Sequence, residues 1–320
     1  MRTIIRCIAT YLPEKVVTND DLSKVLDTSD EWIYTRTGIE SRHIAEEDEL
    51  ASDLGIAASK KLLALSDIDP IDIDAVIVST TTADRRFPSC ACRIQGAIGA
   101  NRAFAFDINA ACAGFIYGLA ISDSMIRSMN LKNVLLVTAE TLTKFVDWTD
   151  RSTCVLFGDG AGALLIQSSS DDESSGIIST KLYSDGSEER HDSILSHRGP
   201  QNGYRGYTTM AGRSVFRYAI ENMSSSMNEI LAENNMTLDD IDWIIPHQAN
   251  RRILESMCKM RNFPTEKFII TTKDHANTSS SSIPLALDEK LREGKIKAGD
   301  TLLFTALGAG LVWGAAIVRL

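Results

Sequence analysis

Two rhythms of apolar residues run through this chain, and the switches between them mark its elements. Residues 103–108 read as a strand that passes through Ala110-Ala111-Cys112-Ala113-Gly114 into Phe115, Ile116, Leu119, Ile126 and Met129 at helical spacing. That spacing predicts a helix over residues 112–129. Apolar runs at 75–78, 134–138, 154–157 and 163–166 predict strands, with Gly158-Asp159-Gly160-Ala161-Gly162 turning into the last of them. Asn19-Asp20-Asp21 ahead of Leu22, and Thr28-Ser29-Asp30 ahead of Trp32, carry the polar caps of helix starts. The second of these ends at Thr37-Gly38-Ile39, and a longer helix is expected over 50–65. Residues 302–318, the most apolar segment, contain three glycines and read as a buried strand pair with a turn, not as a membrane span.

The second half echoes the first. Asp72-Ile73-Asp74-Ala75-Val76-Ile77 aligns with Asp240-Ile241-Asp242-Trp243-Ile244-Ile245 at an offset of 168 residues. Nearly the same offset brings Val137-Thr138-Ala139 onto Phe304-Thr305-Ala306, and Cys112 onto Ser280 at the start of a helix expected over 280–292. Further helices are expected over 215–232 and 250–262. Several matches in register imply two duplicated α/β halves, each with its own sheet. The polar run 168–175 divides them, giving halves 1–170 and 171–320. In such a repeat the loops at the strand ends of both halves converge on one cleft.

Composition narrows the class. At 320 residues, 44% hydrophobic and 24% charged, the chain reads as an ordinary soluble globular protein. A net charge of -10 argues against a nucleic-acid binder. The six cysteines, at 7, 90, 92, 112, 154 and 258, show no disulfide framework. Cys90-x-Cys92 lacks the second ligand pair that a zinc site needs. With no signal-peptide pattern in the first eight residues, the cytoplasm is the expected location.

Candidate chemistry starts at Cys112. A thiol at a helix N-terminus meets unpaired backbone N–H groups and a macrodipole that favour thiolate, the nucleophilic form. The same position also suits an inert cysteine packed among alanines. In the second half, Pro246-His247-Gln248-Ala249-Asn250 and His275-Ala276-Asn277-Thr278-Ser279 follow predicted strands. His247 alone reads equally as a structural histidine, and Asn277 alone as a turn residue. A cysteine, a histidine and an asparagine converging from strand ends form a constellation suited to nucleophilic catalysis. Neither 158–162 nor Gly308-Ala309-Gly310 has the spacing of a nucleotide loop, and no Gly-x-Ser-x-Gly elbow is present.

With these residues assembled, the chain resembles β-ketoacyl-acyl carrier protein synthase III of the thiolase superfamily. The likeness spans essentially the whole length. It rests on residues 32–39, Ala110-Ala111-Cys112-Ala113-Gly114-Phe115, Phe157-Gly158-Asp159-Gly160-Ala161-Gly162, His247-Gln248-Ala249-Asn250 and Asn277-Thr278-Ser279, in order. The resemblance implies a thiolase-like α/β fold with five αβαβα layers, and a homodimer. It also implies condensation of acetyl-CoA with malonyl-acyl carrier protein, with CoA thioesters as substrates and neither metal nor cofactor. Cys112 would carry the acyl group, while His247 and Asn277 would stabilise the enolate. The Cys112 and Ala309 N–H groups would form the oxyanion hole. Ala309 and Ala276 stand where the family usually has glycine, restricting the backbone at both points.

The resemblance assigns CoA contacts to Thr28, Trp32, Arg36, Arg151, Phe216 and Asn250, and an acyl-pocket gate reaching across the dimer to Phe87. An acidic carrier protein needs a local positive patch on this acidic chain. Arg251, Arg252, Lys259 and Arg261 supply one on the helix expected over 250–262, and Arg213 and Arg217 extend it. Arg252 and Lys259 are two helical turns apart and share a face. Two other readings remain open at this point: a relative using another acyl starter or nucleophile, and a silent carrier-protein scaffold. The intact Cys112, His247 and Asn277 set speaks against the scaffold.

Overall fold

Strands buried on both faces lose the alternation of a half-exposed sheet and read as continuous apolar runs. The computed structural model, which describes residues 2–169, 175–191, 193–196 and 207–320, shows that this is the case here. The first half runs β1 (Arg2–Tyr11), β2 (Val16–Thr18), α1 (Asn19–Ser23), α2 (Asp30–Thr37), β3 (Ser41–His43) and α3 (Ala51–Ser66). It continues with β4 (Ala75–Ser79), α4 (Cys90–Ile98), β5 (Phe104–Ile108), α5 (Gly114–Met129), β6 (Asn133–Thr141) and β7 (Asp159–Ser169). The second half has β8 (Gly176–Ser184), α6 (Glu188–His191), β9 (Ile194–Ser196), β10 (Thr208–Met210) and α7 (Gly212–Glu233). It ends with β11 (Trp243–Pro246), α8 (Arg251–Arg261), α9 (Thr272–His275), α10 (Ser282–Arg292), β12 (Thr301–Gly308) and β13 (Val312–Arg319).

Two mixed sheets form the frame, in the orders β1-β7-β6-β4-β5 and β11-β12-β13-β8. Within each, side chains alternate between two buried faces. Ala75 and Ile77 of β4 face α5 and α10, whereas Val76 and Val78 face α3 and α4. Leu302 and Phe304 of β12 face the same central helices, and Leu303 faces α7 and α8. The layers are therefore α3/α4, sheet, α5/α10, sheet, α7/α8: a five-layered αβαβα thiolase-like fold. Phe115 of α5 meets Phe304 of β12 edge to face, centroids 5.4 Å apart, in the middle of the central layer. Removing a buried aromatic of this kind costs about 3–5 kcal/mol.

The internal repeat is obeyed closely. Helices α5 and α10 begin 168 residues apart, at Gly114 and Ser282, each behind a one-turn 3-10 helix, Ala111–Ala113 or Ser279–Ser281. Strands β4 and β11 begin at Ala75 and Trp243, and β6 and β12 at Asn133 and Thr301, with the same spacing.

Three local expectations change. The helix expected from Cys112 begins at Gly114, so Cys112 sits in the tight turn before it. Residues 154–157 form turns, not a strand; Phe157 alone makes an isolated bridge, to Asn277. The glycine-rich run is not a turn, because β7 already starts at Asp159. Its glycines let the strand approach α10: a Cβ on Gly162 would lie 2.4 Å from Pro284 Cβ. Of the loop expected between the halves, 170–174 lie outside the described residues.

Candidate active site

The paired loops carry the three residues to one cavity. Cys112 is half-buried in its turn, whose preceding residue, Ala111, has φ 44°. A Cβ on Gly308, the last residue of β12, would sit 2.6 Å from the Cys112 backbone nitrogen. The end of β12 thus abuts the nucleophile's backbone, with Ala309 next along the cavity wall. His247 follows β11, and its N–H donates to the Thr305 carbonyl of β12 at 2.8 Å. The ring is buried, with Nδ1 2.7 Å from Ser282 Oγ.

Asn277 is clamped to the first half. Its N–H donates to Leu156 O at 2.9 Å, and its carbonyl accepts the Gly158 N–H at 3.0 Å. This bridge is what residues 156–158 do, and glycine is required there: a Cβ on Gly158 would lie 2.7 Å from His275 O. The Asn277 Oδ1 accepts the Ser279 N–H at 2.9 Å, which fixes the amide so that its NH2 is the end left to donate. Ala276, buried ahead of it, has φ 56° and ψ −157°, a region that is essentially glycine-only. Ala276→Gly should relieve that strain and raise stability by about 1 kcal/mol. A urea unfolding midpoint that did not rise would contradict it.

The electrostatics depart from the sequence reading. Burial pushes the Cys112 thiol up to about 12, opposed by a hydrogen bond with Ser279 and reinforced by the Glu140 carboxylate. Desolvation is the largest cause, so the shift runs opposite to the lowering expected from the helix N-terminus. Glu140 is itself buried, and its carboxyl is shifted up by desolvation. It accepts from Thr81 N at 3.1 Å, from the Thr81 and Thr82 hydroxyls at 3.0 Å, and from Ser280 at 2.9 Å. It thereby ties the loop after β4 to the turn before α10. Burial lowers His247 to about 3, so the ring is neutral.

A cavity of about 1180 Å³ joins these residues to the surface. Cys112, His247, Asn277 and Ala309 line it, as do Trp32, Arg36, Arg151, Phe216 and Asn250. Thr28 is not among its lining residues; it is half-buried. The Arg36 and Arg151 guanidiniums lie 4.5 and 5.0 Å from the Trp32 ring centroid. Asn250 also has a structural duty: it caps α8 through Arg252 N at 2.8 Å and donates to Arg36 O at 3.1 Å. Phe87 is 82% exposed and does not line its own chain's cavity.

On α8, Arg251 is held by Glu255 at 2.7 Å and by the Tyr34 hydroxyl at 3.1 Å. Arg252, Lys259 and Arg261 are exposed on the same helix. Arg213 and Arg217 are exposed on α7, the latter stacked 4.9 Å from the Tyr218 ring. Sequence reasoning missed Ser279 and Ser282, which touch Cys112 and His247, and the carboxylate of Glu140. The run of four serines from Ser279 to Ser282 was the available signal. Among the described residues, no three His, Cys, Asp or Glu side chains gather as metal ligands would, and no helix is long and apolar enough to cross a membrane.

The layering, with a cysteine at the cavity wall, defines the class: a thiolase-fold acyltransferase. Residues 106–186 match the family model described as 3-oxoacyl-[acyl-carrier-protein (ACP)] synthase III, and residues 231–320 match the model of its C-terminal part. The chain is 49% identical over 320 residues to the beta-ketoacyl-[acyl-carrier-protein] synthase III of Ehrlichia canis (strain Jake), covering 100% of this chain and 99% of that one. It is 48% identical over 316 residues to the enzyme of the same name from Xanthomonas oryzae pv. oryzae, covering 97% and 96%. The crystal structure of 3-oxoacyl-[acyl-carrier-protein] synthase III from Aquifex aeolicus VF5 superposes with a TM-score of 0.93 at 43% identity, covering 99% of this chain and 100% of that one. The chain belongs to the β-ketoacyl-acyl carrier protein synthase III family.

Proposed function

We propose that this protein condenses acetyl-CoA with malonyl-acyl carrier protein, giving acetoacetyl-acyl carrier protein, CO2 and CoA, the step that starts type II fatty acid synthesis. The observation that carries the reading is one cavity lined by Cys112 from the first half and by His247 and Asn277 from the second. Cys112 Sγ attacks the acetyl carbonyl, and the departing CoA sulfur takes up the proton. Malonyl decarboxylation then places charge on the thioester oxygen, where the His247 ring N–H and the Asn277 amide donate to it. The carbanion attacks the acetyl group, and the Cys112 and Ala309 N–H groups hold the tetrahedral oxyanion before the cysteine thiolate leaves. No step calls for a metal or a cofactor.

Trp32, Arg36 and Arg151 suit the flat base and the phosphates of CoA through stacking and charge, with Phe216 and Asn250 along the pantetheine path. Thr28 is kept in this set by the family resemblance, since it does not line the cavity. We take the halves as 1–170 and 171–320, and the working form as a cytoplasmic homodimer. Two features support the dimer: Phe87, 82% exposed, and Phe104, 39% exposed on the edge strand β5. The test is to incubate the protein with a panel of acyl-CoAs and malonyl-carrier protein, and identify both the group bound to the protein and the product. Formation of acetoacetyl-carrier protein from acetyl-CoA is expected; its absence with that starter would refute the reading.

Carrier docking is assigned to Arg217, Arg251, Arg252 and Lys259. Arg252 and Lys259 pair with no acid among the described residues, whereas Arg251 is engaged by Glu255. Arg252→Glu should raise KM for malonyl-carrier protein roughly three- to tenfold at low salt while sparing acetyl transfer. The wild-type KM should climb with ionic strength. An unchanged KM in the variant would move the docking surface elsewhere.

A further inference from the structure

The reaction proposed above needs His247 to donate a hydrogen bond, and a contact outside the reacting groups decides whether it can. Ser282, the first residue of α10, is buried, with Oγ 2.7 Å from His247 Nδ1. The same oxygen accepts the Gln248 backbone N–H at 3.2 Å. A backbone N–H can only donate, so one lone pair of Oγ is spoken for. Two arrangements of the remaining hydrogen are possible for a neutral ring. In one, Nδ1–H donates to Oγ, and the serine O–H is left buried without an acceptor among the contacts that the described residues make. In the other, the serine O–H donates to Nδ1, every group is matched, and the ring proton sits on Nε2. Leaving a buried donor unmatched costs about 1–3 kcal/mol, which selects the second arrangement. The N-terminal end of α10 adds to the effect, since its partial positive charge opposes a second proton on the adjacent ring.

We propose that Ser282 is a positioning residue that keeps the His247 proton on Nε2, so that the ring enters the reaction as a neutral donor. Its role is indirect: it touches His247, not the substrate. The inference rests on the proposed reaction for its consequence, although the tautomer itself can be read without any substrate.

The chain has five histidines, so 15N-histidine labelling with His247→Ala to assign the signal resolves this one. Wild type should show His247 as the Nε2–H tautomer. Ser282→Ala should show a mixture, with the rate of malonyl-thioester decarboxylation at saturation lowered about tenfold and acetyl transfer to Cys112 within twofold of wild type. An Nδ1–H tautomer in wild type would overturn the proposal whether or not the variant folds. So would a pure Nε2–H tautomer in Ser282→Ala, or equal slowing of both half-reactions. A wild-type protein that decarboxylates no malonyl thioester would refute the reaction instead, while the spectrum would still decide the tautomer.

Discussion

Cys112→Ser should abolish covalent labelling by acetyl-CoA. Thioester exchange needs a group that attacks well and leaves well, and a thiolate does both. A serine hydroxyl is a far weaker acid, and a neutral His247 that donates a proton does not act as its base. The substitution is close in size, so the turn Ala111–Ala113 and the packing of α5 should survive. Mass spectrometry of the acylated protein checks the result: wild type should gain one acetyl group at Cys112, and the variant none. Labelling at the buried Cys154 or Cys258 would refute the assignment. The pH dependence has a definite sign. Burial holds the free thiol at about 12, so the thiolate fraction is small at neutrality and grows as pH rises. Alkylation of Cys112 by iodoacetamide should therefore climb about tenfold per pH unit through pH 9. A plateau near pH 7 would show that the helix N-terminus prevails over desolvation.

His247→Ala and Asn277→Ala should separate the half-reactions. Each removes a donor aimed at the enolate oxygen, and loss of one such donor costs about 10²–10³ in rate. Neither residue contacts the incoming CoA sulfur in the proposed sequence, so self-acylation should persist in both variants. Release of CO2 from malonyl-carrier protein measures the effect; normal release from both would disprove the division of labour. His247 ordinarily titrates near the middle of the accessible pH range, but burial lowers it to about 3. It gains no proton between pH 8 and pH 5, so decarboxylation should show no falling acid limb from this residue in that window. A limb near pH 6.5 that vanished in His247→Ala would contradict a neutral donor.

Much of the architecture is legible in the sequence. Apolar runs at 75–78, 134–138 and 302–318 mark strands because a backbone buried on both faces tolerates few polar side chains. The 168-residue repeat emerged from short Asp-Ile-Asp and strand matches, since duplicated halves solve the same packing problem twice. The strand expected at 154–157 failed for a local reason: apolar residues lining a cavity are as hydrophobic as those in a sheet. The glycine run at 158–162 misled in the same way. Glycine marks close approach as well as turns, and here the approach is to Pro284 and His275.

The chain alone determined which residue types were available: a thiol before a helix, a histidine and an asparagine after strands, and two alanines at glycine-like points. Tertiary structure decided their chemical states. Whether Cys112 is acidic depends on how much water reaches it and on where Glu140 lies, and neither distance along the chain nor residue type contains that. The orientation of the Asn277 amide comes from Ser279 N–H, and its anchorage from Leu156 and Gly158, 121 and 119 residues earlier in the chain. The partner of His247 Nδ1 comes from a serine 35 residues away, brought in by the packing of α10 between the sheets. Protonation and hydrogen-bond direction are set by neighbours in space, within one half as well as across the two, so the order of residues along the chain does not contain them.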